Sequence, residues 1–300
     1  DAQESRGLGD VYKRQEKGLH TAEVWKVIEQ KAKANPQSNE AVAVRERSDW
    51  RAYYAKYYSN WTAPEPRTPP PGKLRNLADT PTQPRFPLTG KVWPQKPGEA
   101  SICLWEDDKL AAVSIGVDDN QMQDLEFWGE LSRRYGGLKI TFNLIVAPIG
   151  GEVRSRPHLY GTWEKWREAL NPNNDLRIHV ASHSMTHMNC PVRADGWPGL
   201  DWEAAESKRL LEEKLGCRVR TFVAPGPGVR DFNIPISLWR EAVVKYYAAA
   251  RMGGSKLINP ANQIDYFNIH TTSALGPIMD ESVSYTHLRA HETPEHLVCR

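Results

Sequence analysis

Val113-Ser114-Ile115-Gly116-Val117-Asp118-Asp119-Asn120 is an apolar stretch that stops on two carboxylates, and His183-Ser184-Met185-Thr186-His187 follows a second apolar stretch at 178–181. Both stretches read as buried strands that give way to polar residues at their C-terminal ends. Outward from them, strand and helix signals alternate. Residues 124–134 predict a helix ended by Gly136-Gly137, and 138–146 a strand. A helix at 162–170 precedes the strand at 176–181, and a helix at 201–215, closed by Gly216, precedes a strand at 219–224. Residues 237–247 read as helix and 264–270 as a last strand, while 101–105 and 109–117 read as two strands around the acidic turn Glu106-Asp107-Asp108. Repeated βα units predict a parallel sheet with helices outside, as a barrel or as an open doubly wound sheet.

In such a fold the C-terminal ends of the strands line one mouth, so two segments far apart in sequence converge there. Two imidazoles at i and i+4 can share one face of a helical turn. Adding one carboxylate makes three ligands for a divalent metal and leaves a position open for water. A metal in that position lowers the pKa of its water to about 7 and polarises a carbonyl. The second carboxylate is then available as general base. Neighbouring residues at a strand end point to different sides, which suits one carboxylate to each task.

The composition narrows the function classes. The 300 residues carry 39 basic and 37 acidic side chains, for a net charge of +2, and no basic stripe appears, so nucleic acid is not expected as a partner. Mean hydropathy is −0.61. No apolar run approaches the roughly 18 residues of a membrane helix. Cys103, Cys190, Cys217 and Cys299 are scattered without a CxxC pair, so neither a disulfide framework nor a thiolate zinc site is indicated.

Before the βα region, 21–34 predicts a helix stopped by Asn35-Pro36. A second helix is expected from about 48, with Trp50, Tyr53, Tyr54, Tyr57, Tyr58 and Trp61 on one face. That aromatic face reads as a docking surface against the main domain rather than a sugar platform. Residues 64–97 are proline-dense and read as a linker. The expected division is therefore 16–62 as a helical extension, 63–99 as linker and 100–281 as the catalytic domain, cut short at its C-terminal end. Residues 1–15 and 282–300 resemble translated sequencing-adapter sequence and are set aside, together with His287, His291 and His296.

From about 100 to 269 the chain resembles the polysaccharide deacetylases, the NodB-homology domain of carbohydrate esterase family four. The family strand ending T-F-D-D-G is matched by residues 114–120, ending in Asn120, and its a-T-F-F strand by Ile140-Thr141-Phe142-Asn143. H-S/T-x-x-H is met in full by His183-Ser184-Met185-Thr186-His187. Ser207-Lys208-Arg209-Leu210-Leu211-Glu212-Glu213-Lys214-Leu215-Gly216 follows s-K-x-x-L-E-x-x-L-G, and Phe222-Val223-Ala224-Pro225-Gly226-Pro227-Gly228 stands at the third motif. The resemblance implies a distorted, incomplete (β/α) barrel. It also implies Asp118 as general base, and Asp119, His183 and His187 as ligands of Zn2+ or another divalent cation such as Co2+ or Ni2+. The implied reaction is hydrolysis of an acetyl group, most often N-acetyl, on an acetylated polysaccharide or oligosaccharide. An extracellular or cell-envelope location goes with it.

Two departures stand out. Many members place an arginine near the base in the third motif, where this chain has Val223, and the general-acid histidine of a late strand has His270 as its candidate. Trp163, Trp166, Trp202 and Trp239 lie in predicted helices and read as packing residues. An amidohydrolase acting on a small amide, and a non-catalytic carbohydrate-binding protein, remain as alternative readings.

Overall fold

Among the described residues, six short strands run parallel in the spatial order in which they occur along the chain: β1 (Ile115–Val117), β2 (Lys139–Leu144), β3 (Arg177–Ser182), β4 (Thr221–Val223), β5 (Ala249–Gly254) and β6 (Ile269–Thr271). The computed structural model describes residues 21–66, 112–135, 138–151, 153, 157–173, 176–187, 196–226, 234–254, 259 and 264–271. Helices α3 (Met122–Arg134), α4 (Pro157–Tyr160), α5 (Trp163–Ala169), α6 (Leu200–Leu215) and α7 (Ile236–Val243) fill the crossovers from β1 to β5. A sequential parallel order with no strand returning past its predecessor is barrel winding rather than doubly wound. With β1 and β6 at opposite edges, the architecture is the expected incomplete (β/α) barrel.

The register explains why the strand ends meet. Ile115 faces Ile140, Phe142 faces Val180, Ser182 faces Phe222, and Val223 faces Arg251. Parallel strands in close register bring their C-terminal ends to one level, and the residues that follow them share one rim. Beneath that rim Ile140, Phe142, Leu144, Phe222 and Ala250 are almost fully buried. The helices close over them with Trp166 from α5, Trp202 and Leu211 from α6, and Trp239 and Val243 from α7. The tryptophans of α5, α6 and α7 are packing residues, as expected. Small residues Ala204, Ala205 and Ser207 let α6 approach the sheet closely, and Gly216 ends it at φ 65°, the left-handed conformation glycine adopts without strain.

Among the described residues, two helices precede the barrel, α1 (Thr21–Ala34) and α2 (Asn39–Tyr57). The first has the expected bounds. The second begins nine residues earlier than its aromatic stripe indicated, capped by Ser38 Oγ accepting from the Ala41 N–H at 3.2 Å. Its first half pairs with α1, where the Arg47 guanidinium lies 4.1 Å from the Trp25 ring and bonds Glu29 at 3.2 Å. Its second half carries Trp50 and Tyr54 into the same core as the strands. Tyr54 and Tyr58 meet Trp202 edge-on, at centroid distances of 5.4 and 4.9 Å. The aromatic face docks. Tyr58 and Trp61 lie past the end of the helix, so the stripe is not one continuous helical face.

Further differences concern the strands and lengths. The strand β5 was not anticipated, and the last strand, β6, starts at Ile269 rather than 264. Helix α7 stops at Val243, four residues short of the expected end. Among the described residues no helix is long and apolar enough to cross a membrane. The strand expected at 101–105, most of the proline-dense segment, and the adapter-like ends with their three histidines lie outside the described residues.

Candidate metal centre and active site

Asp118, Asp119 and Asn120 follow β1 directly, and the chain must turn at once to enter α3. Asp119 and Asn120 take φ of 69° and 38°, the left-handed region that short polar side chains tolerate best. Asn120 is fully buried and holds the turn. Its Oδ1 accepts from the Ile145 N–H at 3.2 Å, and its Nδ2 donates to the Tyr160 carbonyl at 3.3 Å. Asparagine therefore supplies the backbone geometry expected of glycine at this place and also ties the ends of β1 and β2 together.

The segment after β3 is built differently from the helical turn its spacing indicated. Ser184 and His187 have φ of 70° and 56°, and the segment is a bend, not a helix. The backbone runs alongside the end of β2: the His183 N–H donates to Leu144 O at 2.8 Å, and the Ala147 N–H to Met185 O at 2.8 Å. Below it lies Glu203 of α6, completely buried. Its carboxylate accepts four hydrogen bonds, from the Met185 and Thr186 N–H groups, the Thr186 hydroxyl and Trp197 Nε1, at 2.6 to 3.0 Å. Burial pushes the Glu203 carboxyl up, against the pull of those donors. A chain of hydroxyls continues the support, from Ser182 to Ser207 at 2.7 Å and from Ser207 to Tyr247 at 3.1 Å.

These two turns bring three ligand-type side chains together. One ligand atom each of Asp119, His183 and His187 lies within 4.8 Å of the others. Asp119 Oδ1 is 3.6 Å from His183 Nε2 and 3.3 Å from His187 Nε2, and the rings stand edge to face with centroids 4.7 Å apart. His183 Nδ1 is 2.9 Å from the Val223 carbonyl. A hydrogen on Nδ1 makes that bond and leaves the Nε2 lone pair aimed at the cluster, the usual arrangement behind a metal-ligating histidine. Burial and the neighbouring His187 push His183 down to about 4, so it is neutral at physiological pH, the form that ligates metal. Two imidazole nitrogens and one carboxylate oxygen form a donor set suited to a divalent cation of the zinc type.

Asp118 turns the other way. Its Oδ1 accepts from Asn143 Nδ2 at 2.7 Å, and both of its oxygens lie 2.5 Å from Arg251 Nη2. Burial works against the Asp118 anion. The nearby His183 and the Arg251 guanidinium, with the hydrogen bonds from Arg251 and Asn143, outweigh it and hold the carboxyl below the usual carboxylate range. With His183 neutral, Arg251 is the cation facing Asp118 at pH 7. Asn143 sits at the last position of the family-like strand motif, whereas Arg251 was not anticipated. Its signal is spatial, since the two partners stand 133 residues apart.

His270 lies on β6, half-buried, with its N–H and C=O both bonded to the Asn259 side chain. The structure does not place it in the Asp/His cluster. A cavity of about 830 Å3 opens elsewhere, between the end of α2 and α6, with Tyr57, Trp61, Glu206, Arg209 and Lys245 in its wall. The chemistry-bearing residues are at the strand ends, not there.

No family model matches the chain. A curated relative, gellan lyase from a Bacillus species, is 31% identical over 182 residues, which is 60% of this chain and 6% of that protein. Among solved structures, IcaB from Ammonifex degensii is similar over 59% of this chain and 72% of its own, with 16% identity and a TM-score of 0.41. The polysaccharide deacetylase BC0361 from Bacillus cereus is similar over 46% of this chain and 38% of its own, at 18% identity and a TM-score of 0.34. For the Streptococcus pyogenes deacetylase PplD the shares are 47% and 57%, with 15% identity and a TM-score of 0.33.

Proposed function

We propose that this chain is a metal-dependent hydrolase that removes acetyl groups, most often N-acetyl, from a polysaccharide such as a chitin-like polymer, peptidoglycan or another hexosamine glycan. The observation that carries the reading is the pairing of an Asp119, His183 and His187 donor set with a separate carboxylate, Asp118, on the adjoining residue. In this reading 100–281 carries the chemistry and 16–62 is an extension docked on it.

Asp119, His183 and His187 hold the cation, Zn2+ by the donor chemistry. When bound, the cation supplies Lewis-acid polarisation of the acetyl carbonyl and makes water a nucleophile at neutral pH. Asp118 takes the proton of the attacking water as general base. The Val223 carbonyl fixes the His183 tautomer, so that Nε2 stays a ligand. The proton for the leaving amine comes from His270 or from a group outside the described residues.

The test is acetate release by the zinc-loaded chain from acetylated chitooligosaccharides, peptidoglycan and acetylated xylan, with gellan and a small amide in parallel. Acetate from a glycan, lost on chelation and restored by zinc, is the expected result. Unsaturated products from gellan without acetate, or cleavage of the small amide alone, would replace the reading.

A further inference from the structure

We propose that Arg251, supplied by β5, is the residue that positions the Asp118 carboxylate. This deepens the hydrolase reading and rests on it.

The geometry starts in the sheet. Val223 on β4 and Arg251 on β5 are register partners in parallel strands, and the Ala224 N–H donates to the Arg251 carbonyl at 2.9 Å. Register partners on adjoining parallel strands project to the same side at the same height, so a side chain from either position can reach the rim. Position 223 is a valine, buried, whose carbonyl is already engaged by His183. The guanidinium comes from one strand further along. Directly after Arg251 the β5–β6 register shifts between Arg251 and Gly253, and irregularities of this kind bend a strand and re-aim its side chains.

Arg251 Nη2 reaches both oxygens of Asp118, while Asn143, from β2 on the other side, reaches Oδ1. The carboxylate is thus held from β2 and from β5, across the two strands that lie between. Charge-assisted bonds of this kind are short and directional. The pair is half-buried, with side-chain exposures of 26% for Arg251 and 36% for Asp118, so a bond worth little at an open surface fixes orientation here. Without the guanidinium, Asn143 alone leaves the carboxylate free to rotate away from the reacting water. A displacement of about 1 Å at a catalytic group can cost on the order of 10²-fold in rate.

The experiment uses the full chain as wild type, Arg251→Met, Arg251→Lys, Asp118→Asn and the Asp118→Asn/Arg251→Met double variant. Thermal midpoint and zinc content are measured beside acetate release. Arg251→Met should keep its zinc, lower kcat on the order of 10²-fold, and leave KM within about threefold, because the loss falls on the chemical step. Arg251→Lys should recover part of the rate. In the Asp118→Asn background the Arg251 substitution should cost nothing further, since it acts through that carboxylate. A full additional loss in the double variant, or an Arg251→Met enzyme of unchanged kcat, overturns the inference. Crystal structures of wild type and Arg251→Met decide it without any substrate. A displaced Asp118 carboxylate over an unmoved Asp119, His183 and His187 supports positioning, and an unmoved one overturns it. A wild type that releases no acetate from any glycan sinks the hydrolase reading instead.

Discussion

Two carboxylates adjacent in sequence, Asp118 and Asp119, face different partners: one meets a guanidinium and an amide, the other two imidazoles. Removing each should therefore have separable effects. Asp118→Asn is expected to lower acetate release about 10²- to 10⁴-fold while zinc content stays that of wild type, as measured by metal analysis of the same preparation. His183→Ala should instead weaken zinc binding at least ~10-fold in a competition titration with a chromophoric chelator. Protonation gives a further test. His183 sits at about 4 when folded, against 6.5 for an ordinary imidazole. The unfolded chain therefore binds the proton more readily between those values, and the sign follows: stability rises with pH across that window. Metal-free protein should keep this contribution above about 6.5 and lose it as pH falls toward 4, as read by denaturant titrations at several pH values.

At the scale of elements, α6 does two jobs from adjoining buried positions. Glu203 in its first turn organises the histidine segment, and Trp202 beside it receives Tyr54 and Tyr58. Glutamine at 203 puts an NH2 group against donors, so at least part of the four-bond set fails. Glu203→Gln should cost about 1–3 kcal/mol in denaturant unfolding. It should also weaken zinc binding by about tenfold, because the ligand loop loses its support. Tyr58 shows the same enclosure: burial, then Tyr53 and Glu206, push its hydroxyl far above the ordinary phenol range. Strand β5 was not legible in advance for a physical reason. Ala249-Ala250-Arg251-Met252-Gly253-Gly254 has neither the alternation nor the β-branched residues of a strand, and it becomes one because β4 and β6 pair with it on both sides. Helix α2 was half legible, since its first half faces α1 and only its second half shows a single aromatic face.

For the whole molecule, the core continues from the barrel into the second half of α2, with Trp50 and Tyr54 in one cluster with Phe142, Phe222 and Trp239. The second half of α2 is thus part of the folded body's hydrophobic interior. Trp50→Ala should lower stability by about 3–5 kcal/mol, the range for emptying a buried aromatic site, in a single cooperative transition followed by fluorescence and circular dichroism together. Two separate transitions, with the barrel transition unmoved, would mean that the extension and the barrel do not share a core.

The features legible along the chain are local and chemical. Apolar runs ending in Asp118-Asp119 and His183-Ser184-Met185-Thr186-His187 announce strand ends bearing donor-type side chains, because burial needs the run and a cation site needs those residue types. The alternation of βα units announces a parallel sheet with helices outside, and the sequential strand order is seen only in the fold. Which distant groups meet is settled by the fold. That includes Arg251 at Asp118, Glu203 beneath the histidine segment, the Val223 carbonyl on His183, and Trp202 against the α2 aromatics. None of these pairs has a spacing that a helix or strand period could reveal. They are products of strand register and helix docking, where contact is set by packing in three dimensions rather than by distance along the chain.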